Sequence, residues 1–290
     1  MGLNEMGLFD AVFQDTINKA TQAMKDLAKA CDYLNDEGLL MCGYCHTPRQ
    51  MVLDVPLIGQ RIVPVLCRCD QERREAEEAR RKAEEEQQRI NAMRRIGITS
   101  ANYRAMTFAA DDGSDPKTAA IARRYVDKRA DMLRENIGLL LHGGVGGGKT
   151  FWAAAIANAM IDNGCSAMIT TIPALISAMS MDFESEKTRI LDQITRVRFL
   201  ILDDVGFERQ SSYAAEKMYE IINARYLSGR PLIVTTNLSL QEISNPENME
   251  YKRVFDRMIE MCQPIHISGE GRRKAISKAK AQTAREILGL

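Results

Sequence analysis

Eight consecutive residues, Gly143, Gly144, Val145, Gly146, Gly147, Gly148, Lys149 and Thr150, follow the spacing G-x-x-x-x-G-K-[ST]. Five glycines in eight positions are poor material for a strand or a helix. They suit a backbone that must come very close to something. With no Cβ in the way, successive N–H groups can curl around phosphate oxygens. Lys149 would reach the β- and γ-phosphates of a nucleotide, and Thr150 would put its hydroxyl on a magnesium ion, Mg²⁺. The apolar run 137–141 before the loop reads as a strand and 149–162 after it as a helix, whose positive N-terminus would face the anion. A chance glycine-rich turn needs neither flank, so the phosphate reading is preferred.

Further along, "FLILDDVG" (199–206) ends an apolar run in two carboxylates, which are costly to bury unless something binds them. Asp203 fits a group that holds Mg²⁺ through water, and Asp204 a group that orients an attacking water. "VTTNLS" (234–239) ends another run at Asn237, an amide able to aim at the γ-phosphate or at that water. Alone, such an asparagine is an ordinary loop residue; after the glycine loop and the aspartates it completes a set. Arg253 and Arg257, four apart in "YKRVFDRM", share one helix face, and Arg272 and Arg273 follow the last strand in "GEGRRK". Taken singly, each is a common surface ion-pair residue. In this position arginine can also neutralise charge on a transferring phosphoryl group, from the same subunit or a neighbour.

A second chemistry stands nearer the N-terminus. Cys42-Gly-Tyr-Cys45 and Cys67-Arg-Cys69 give four thiolates, with 21 residues between the pairs. Four thiolates suit tetrahedral Zn²⁺, and a small segment with few large apolar residues gains folding energy from the metal. His46 is an alternative ligand, disfavoured by its adjacency to Cys45. The other three cysteines, Cys31, Cys165 and Cys262, read as plain core residues.

These residues need elements to position them. Phe9, Phe13, Ile17, Ala20, Met24, Leu27 and Cys31 recur at spacings of three and four, so 8–34 reads as an amphipathic helix closed by "NDEG". Residues 70–95 carry eight acidic and eight basic side chains, the pattern of a solvated helix or helical connector rather than a binding face. "DDGSDP" (111–116) is a loop. From 117 onward, helical stretches alternate with apolar runs at 137–141, 166–171, 197–202, 231–236 and 264–267. Helices are expected at 149–162, ended by Asn163-Gly164, at 173–183 and at 211–228. Continuous apolar strands between helices imply an α/β fold with a five-stranded parallel sheet covered on both faces. The divisions drawn are 1–69 for a helical and zinc-binding region, 70–96 for a charged linker and 97–290 for the α/β domain. The 290 residues are 27% charged with formal net charge zero, so global charge gives no reason for nucleic-acid binding. No apolar run is long enough for a membrane span, no signal-peptide pattern opens the chain, and a cytoplasmic protein is expected.

The order of P-loop, "LILDD-G", "TTNL", "R-x-x-D-R" and "G-E-x-x-R" resembles the AAA+ ATPases. More narrowly, over 97–275, including the lead-in "GITSANYRAMTF", it looks like the bacterial and phage helicase loaders of the DnaC and DnaI type. "C-x-x-C … C-x-C" before a charged helix is similar to the N-terminal part of many such loaders. The resemblance implies ATP hydrolysis between subunits of a spiral or ring. It makes Asn237 sensor 1, Arg257 the arginine finger (with Arg253 as its alternative) and Arg273 sensor 2, and it leaves a reduced C-terminal lid. Its partners would be a replicative DnaB-type helicase, held by the N-terminal region, and single-stranded DNA, held by the ATPase domain. For DNA contact the residues offer a basic C-terminal end (Arg272, Arg273, Lys274, Lys278, Lys280, Arg285) and Thr170 and Thr171 before a helix. Asp-Asp departs from the usual Asp-Glu and shortens the acting carboxylate. Two other readings compete: a transposition helper ATPase of the IstB type, and a non-catalytic zinc-binding adaptor switched by ATP.

Overall fold

The computed structural model describes residues 30–56, 59–180, 184–206, 212–246, 248–268 and 272–289. The chain divides into two compact units, 1–85 and 86–290. Most of the helix expected at 8–34 lies outside the described residues. Its end is corrected: residues 30–31 form a turn, and Tyr33–Leu34 is a short strand, β1, paired antiparallel with β2 (Leu40–Met41). Cys31 is therefore exposed rather than a core residue, because the helical face that would have buried it has ended. Cys165 and Cys262 are buried, as expected.

An antiparallel hairpin that the sequence reading left unassigned follows, β3 (Gln50–Val55) with β4 (Gly59–Pro64). A single helix, α1 (Arg68–Gly97), then carries the chain from the first unit into the second. Its mixed charges pair one turn apart, Arg74 with Glu78, Arg80 with Glu84 and Arg81 with Glu85, the arrangement a solvated helix favours.

The second unit is built on five parallel strands, β5 (Gly138–His142), β6 (Ala167–Thr170), β7 (Phe199–Val205), β8 (Leu232–Thr236) and β9 (Cys262–His266). Their order across the sheet is β6-β7-β8-β5-β9. Along β5, Leu140 joins the core on one face while Leu139 and Leu141 join the core on the other, so both faces are covered. On the Leu139 face lie α3 (Pro116–Asp127) and α5 (Lys149–Asp162). The alanine run of α5 has high helix propensity and lets the helix sit close to the sheet, with Trp152 fully buried at its start. The Leu140 face carries α6 (Ile172–Met179), α7 (Glu184–Arg196), α8 (Ser212–Leu227) and α10 (Met249–Met261). Short helices α2 (Ala101–Ala105), α4 (Arg129–Arg134) and α9 (Leu240–Ser244) fill connections, and α11 (Arg272–Leu288) follows β9.

Local sequence sets several boundaries. Asp115 caps α3 by accepting from the Thr118 N–H, and Ser239 with Glu242 forms a reciprocal capping box on α9. Thr171, offered by the sequence as a DNA contact, caps α6 by accepting from the Ala174 N–H. Among the described residues no helix is long and apolar enough to cross a membrane.

Candidate functional site

The carboxyl ends of β5, β7 and β8 converge, as they must in a doubly wound parallel sheet, and the glycine loop leaves β5 at this edge. Gly143 is required twice over: its φ is +142°, and a Cβ there would lie 2.4 Å from the Ile267 carbonyl oxygen. Gly148 enters α5 at φ +94°, which allows the loop to turn sharply into the helix.

Lys149 is 6% exposed. Its Nζ donates to the carbonyls of Gly143 (2.8 Å) and Gly144 (2.7 Å) and to Asn237 Oδ1 (2.8 Å). Asn237 Nδ2 in turn donates to Asp204 Oδ1 at 3.0 Å. The residues singled out from three separate stretches of sequence thus form one chain, Lys149–Asn237–Asp204. They line a cavity of about 430 Å³ together with Thr150, with Met106 from the lead-in segment and with Asp112 from the loop after it.

Asp203 and Asp204 point differently because β7 is irregular. Its register against β8 shifts between Leu202 and Val205, and Asp204 takes φ +57°. A bulge of this kind re-aims a side chain. Asp203 stays 5% exposed while Asp204 is exposed toward the cavity. Thr235 serves both: its Oγ1 accepts from the Asp204 N–H at 2.8 Å and donates to Asp203 Oδ1 at 2.6 Å. Tyr103 donates to Asp203 Oδ2 at 2.9 Å, with its phenol held above its ordinary pKa by burial and by the nearby carboxylates. Sequence reasoning missed both hydroxyls. Tyr103 stands in the "NYR" of the lead-in and Thr235 directly before Thr236-Asn237, but no spacing rule connects either to Asp203.

The residues fit a magnesium ion. Asp203 is a buried carboxylate held only by hydroxyls, and among the described residues no cationic side chain pairs with it. Hard oxygen donors of this kind, next to a cavity lined by Thr150, Asp204 and Thr235, suit Mg²⁺.

The described candidate arginines, Arg257 and Arg253, fall in two environments. Arg257, on α10, stacks over Tyr219 (4.8 Å) and Tyr226 (5.1 Å) of α8 and donates to Asn223 Oδ1. Arg253, one turn earlier, is exposed on a groove of about 690 Å³ between α8 and α10 that also includes Tyr219 and Met249. Arg272 and Arg273 begin α11, and their side chains lie outside the described residues.

In the first unit the Sγ atoms of Cys42, Cys45, Cys67 and Cys69 lie within 4.8 Å of one another. Tetrahedral zinc with bonds of about 2.3 Å asks for sulfurs roughly 3.8 Å apart. Cys42–Cys69 is 3.5 Å and Cys67–Cys69 3.3 Å, so the donor set fits. Buried Arg49 donates to Cys42 Sγ (3.7 Å) and pairs with Asp70 (2.7 Å) and Asp32 (2.9 Å), which fixes the turn around the sulfurs. His46 is turned to Tyr33, its Nδ1 3.1 Å from the phenol oxygen.

A parallel sheet whose glycine-loop lysine meets a strand-end asparagine, itself bonded to the second of two adjacent aspartates, defines a P-loop nucleotide-binding protein of the AAA+ architecture. The chain belongs to the family of IstB-like ATP binding proteins, which matches residues 74–281. It is 26% identical over 207 residues to the replicative helicase loader DnaI of Bacillus subtilis, covering 67% of this chain and 66% of that one. To the replicative helicase loader DnaC of Escherichia coli K12 it is 31% identical over 140 residues, 47% of this chain and 55% of that one. A crystal structure of the DnaC helicase loader superimposes with a TM-score of 0.49 at 25% identity, covering 58% of this chain and all of that one. The chain therefore spans between about half and two-thirds of the length of the curated relatives it matches.

Proposed function

We propose that the protein is an ATP-hydrolysing loader that delivers a DnaB-type replicative helicase onto single-stranded DNA during initiation of replication. The observation that carries the reading is the Lys149–Asn237–Asp204 chain at the nucleotide cavity, which has the parts hydrolysis needs rather than binding alone. The names of the DnaI and DnaC relatives supply the biological setting.

In this reading the loop amides and Lys149 hold the phosphates, and Thr150 and Asp203 hold Mg²⁺. The ion, when bound, neutralises charge on the β- and γ-phosphate oxygens. Asp204 accepts a hydrogen bond from the attacking water, and Asn237 keeps Asp204 and Lys149 in register. Arg257 acts on the nucleotide of an adjacent subunit in a spiral or ring, and Arg273 on its own. Cys42, Cys45, Cys67 and Cys69 hold one structural zinc in the region that grips the helicase. The 70–96 segment links this region to the ATPase domain, 97–290.

The test is ATP turnover by the full chain with and without single-stranded DNA, together with co-sedimentation with a DnaB-type replicative helicase. DNA-responsive turnover and a stoichiometric complex are expected. Turnover without helicase binding favours a second reading, a transposition helper of the IstB type, for which the family match speaks. Nucleotide binding without any turnover identifies an ATP-switched adaptor.

A further inference from the structure

We infer that Tyr103 is a positioning residue for Asp203, and that through it the lead-in segment 98–106 sets the orientation of the carboxylate beneath the nucleotide. The inference rests on the assignment of Asp203 to the magnesium site. A carboxylate offers about four lone-pair positions, two on each oxygen. Here one hydroxyl takes a position on each: Thr235 on Oδ1 at 2.6 Å, Tyr103 on Oδ2 at 2.9 Å. The carboxylate is held from both sides and cannot rotate about its Cβ–Cγ bond without breaking one of these bonds, while one position on each oxygen is left for the ion's water.

The two hydroxyls differ in origin. Thr235 is 1% exposed, on the strand beside Asp203, and comes with the sheet. Tyr103 comes from 100 residues earlier in the chain and reaches Asp203 only because its segment is fastened to α5. Among the described residues the polar part of that fastening is one side chain, set beside the burial of Ile98 and the packing of Tyr103 and Met106 on the core that α5 shares. Asn158, 3% exposed on α5, donates from Nδ2 to the carbonyls of Tyr103 (2.8 Å) and Met106 (2.9 Å) as well as to Ala154 (3.0 Å). An amide nitrogen has two N–H groups, so the three acceptors share two hydrogens, and two of the three acceptors lie in the lead-in segment. A partly exposed phenol that served only packing could have taken its hydrogen bond from water. This one is aimed at the buried carboxylate. Because 98–106 directly follows α1, whatever repositions the end of that helix also moves the donor on Oδ2.

The test uses the full chain with Mn²⁺ as a probe of the metal position, read by electron paramagnetic resonance in the presence of ADP. The Mg²⁺ concentration that half-saturates ATP hydrolysis is measured beside it. Partners one shell out from a metal typically change its affinity by about 10–100-fold. Contact through water places Tyr103→Phe near the lower end, so a roughly tenfold weaker Mn²⁺ affinity is expected, with metal-free ADP binding within about twofold of wild type. Asn158→Ala should weaken metal in the same direction, and adding it to Tyr103→Phe should bring little further loss, because both act through one hydrogen bond. Fully additive effects, or an unchanged metal affinity in Tyr103→Phe, overturn the inference. Asp203→Asn distinguishes the two levels. If it removes nucleotide-dependent Mn²⁺ binding while Tyr103→Phe does nothing, only the role of Tyr103 falls. If Asp203→Asn itself leaves metal binding intact, the assignment of Asp203 falls first.

Discussion

Asp204 sits at φ +57°, a backbone region that costs most side chains about 1–2 kcal/mol but that aspartate and asparagine tolerate. The departure from Asp-Glu noted in the sequence thus has a local reason: the bulge that turns this position into the cavity suits a short side chain. Asp204→Asn keeps both the backbone and a polar partner for Asn237. It should leave ATP affinity intact while slowing phosphate release by about 10²-fold or more, the usual scale for losing a positioned base. Lys149→Ala, by contrast, should abolish nucleotide binding in a fluorescent-nucleotide titration. Loss of binding in Asp204→Asn instead would exchange the roles of the two aspartates. At this scale spaced motifs were enough to single out Lys149, Asp204 and Asn237, which the structure brings together at one cavity. Tyr103, Asn158 and Thr235 were not legible. Each acts through a contact across the fold, and a tyrosine, a mid-helix asparagine and a strand threonine have ordinary uses that give no hint of it.

The clearest case among the elements is Arg225 on α8, which is fully buried. Its guanidinium donates to four backbone carbonyls, of Ile194, Val197, Arg198 and Pro231, and so joins the end of α7 to the entries of β7 and β8. Burial first, and then Arg230, lower its proton affinity, and those carbonyls compensate the charge. Arg225→Met should destabilise this unit by about 3–5 kcal/mol in a denaturant titration, since it strands several buried acceptors at once. Strands β5 and β9 bring His142 and His266 side by side, with ring centroids 5.2 Å apart. Burial, then His266 and Lys149, push the His142 pKa below its ordinary 6.5. A histidine with a lowered folded-state pKa contributes stability that is present above the unfolded pKa and lost as pH falls through the folded one. Melting temperature should therefore drop as pH falls below about 6.5, and His142→Gln should flatten that slope. Four strands of this sheet were readable from their apolar runs; edge strand β9, Cys262–His266, carries Gln263, Pro264 and His266 and begins two residues before the expected 264–267. The β3–β4 hairpin was not: its strands are largely exposed, with Met51, Val52 and Leu53 all more than two-fifths accessible, so no one-sided alternation marks them.

For the whole molecule, the cysteine cluster and the parallel sheet lie in different compact units, so their stabilities should separate. About one zinc per chain is expected by metal analysis. Chelation should unfold the segment around residues 41–70 while leaving nucleotide-dependent melting of the second unit unchanged. The shared-site reading gives a second outcome. Arg257→Ala should keep ATP binding and lose roughly 10³-fold in turnover, the scale found for arginine fingers. Mixed with Lys149→Ala, it should recover part of that turnover, because some neighbouring pairs then contain one intact site. If both stay inactive while subunits exchange, Arg257 is a residue of the α8–α10 packing, as its stacking on Tyr219 and Tyr226 allows. The position of the P-loop strand has one more consequence, for the chain as it is made. Strand β5 lies between β8 and β9, and both are translated after it. At about 5–20 residues per second the second partner leaves the ribosome on the order of 10 s after β5 does. Until then the Leu139–Leu141 strand has at least one bare edge, and the nucleotide loop has no Ile267 carbonyl against Gly143 and no Asn237 to meet Lys149. A growing chain gains its ATP site only once β9 has emerged, and a chaperone that shields apolar strands has its longest task at β5.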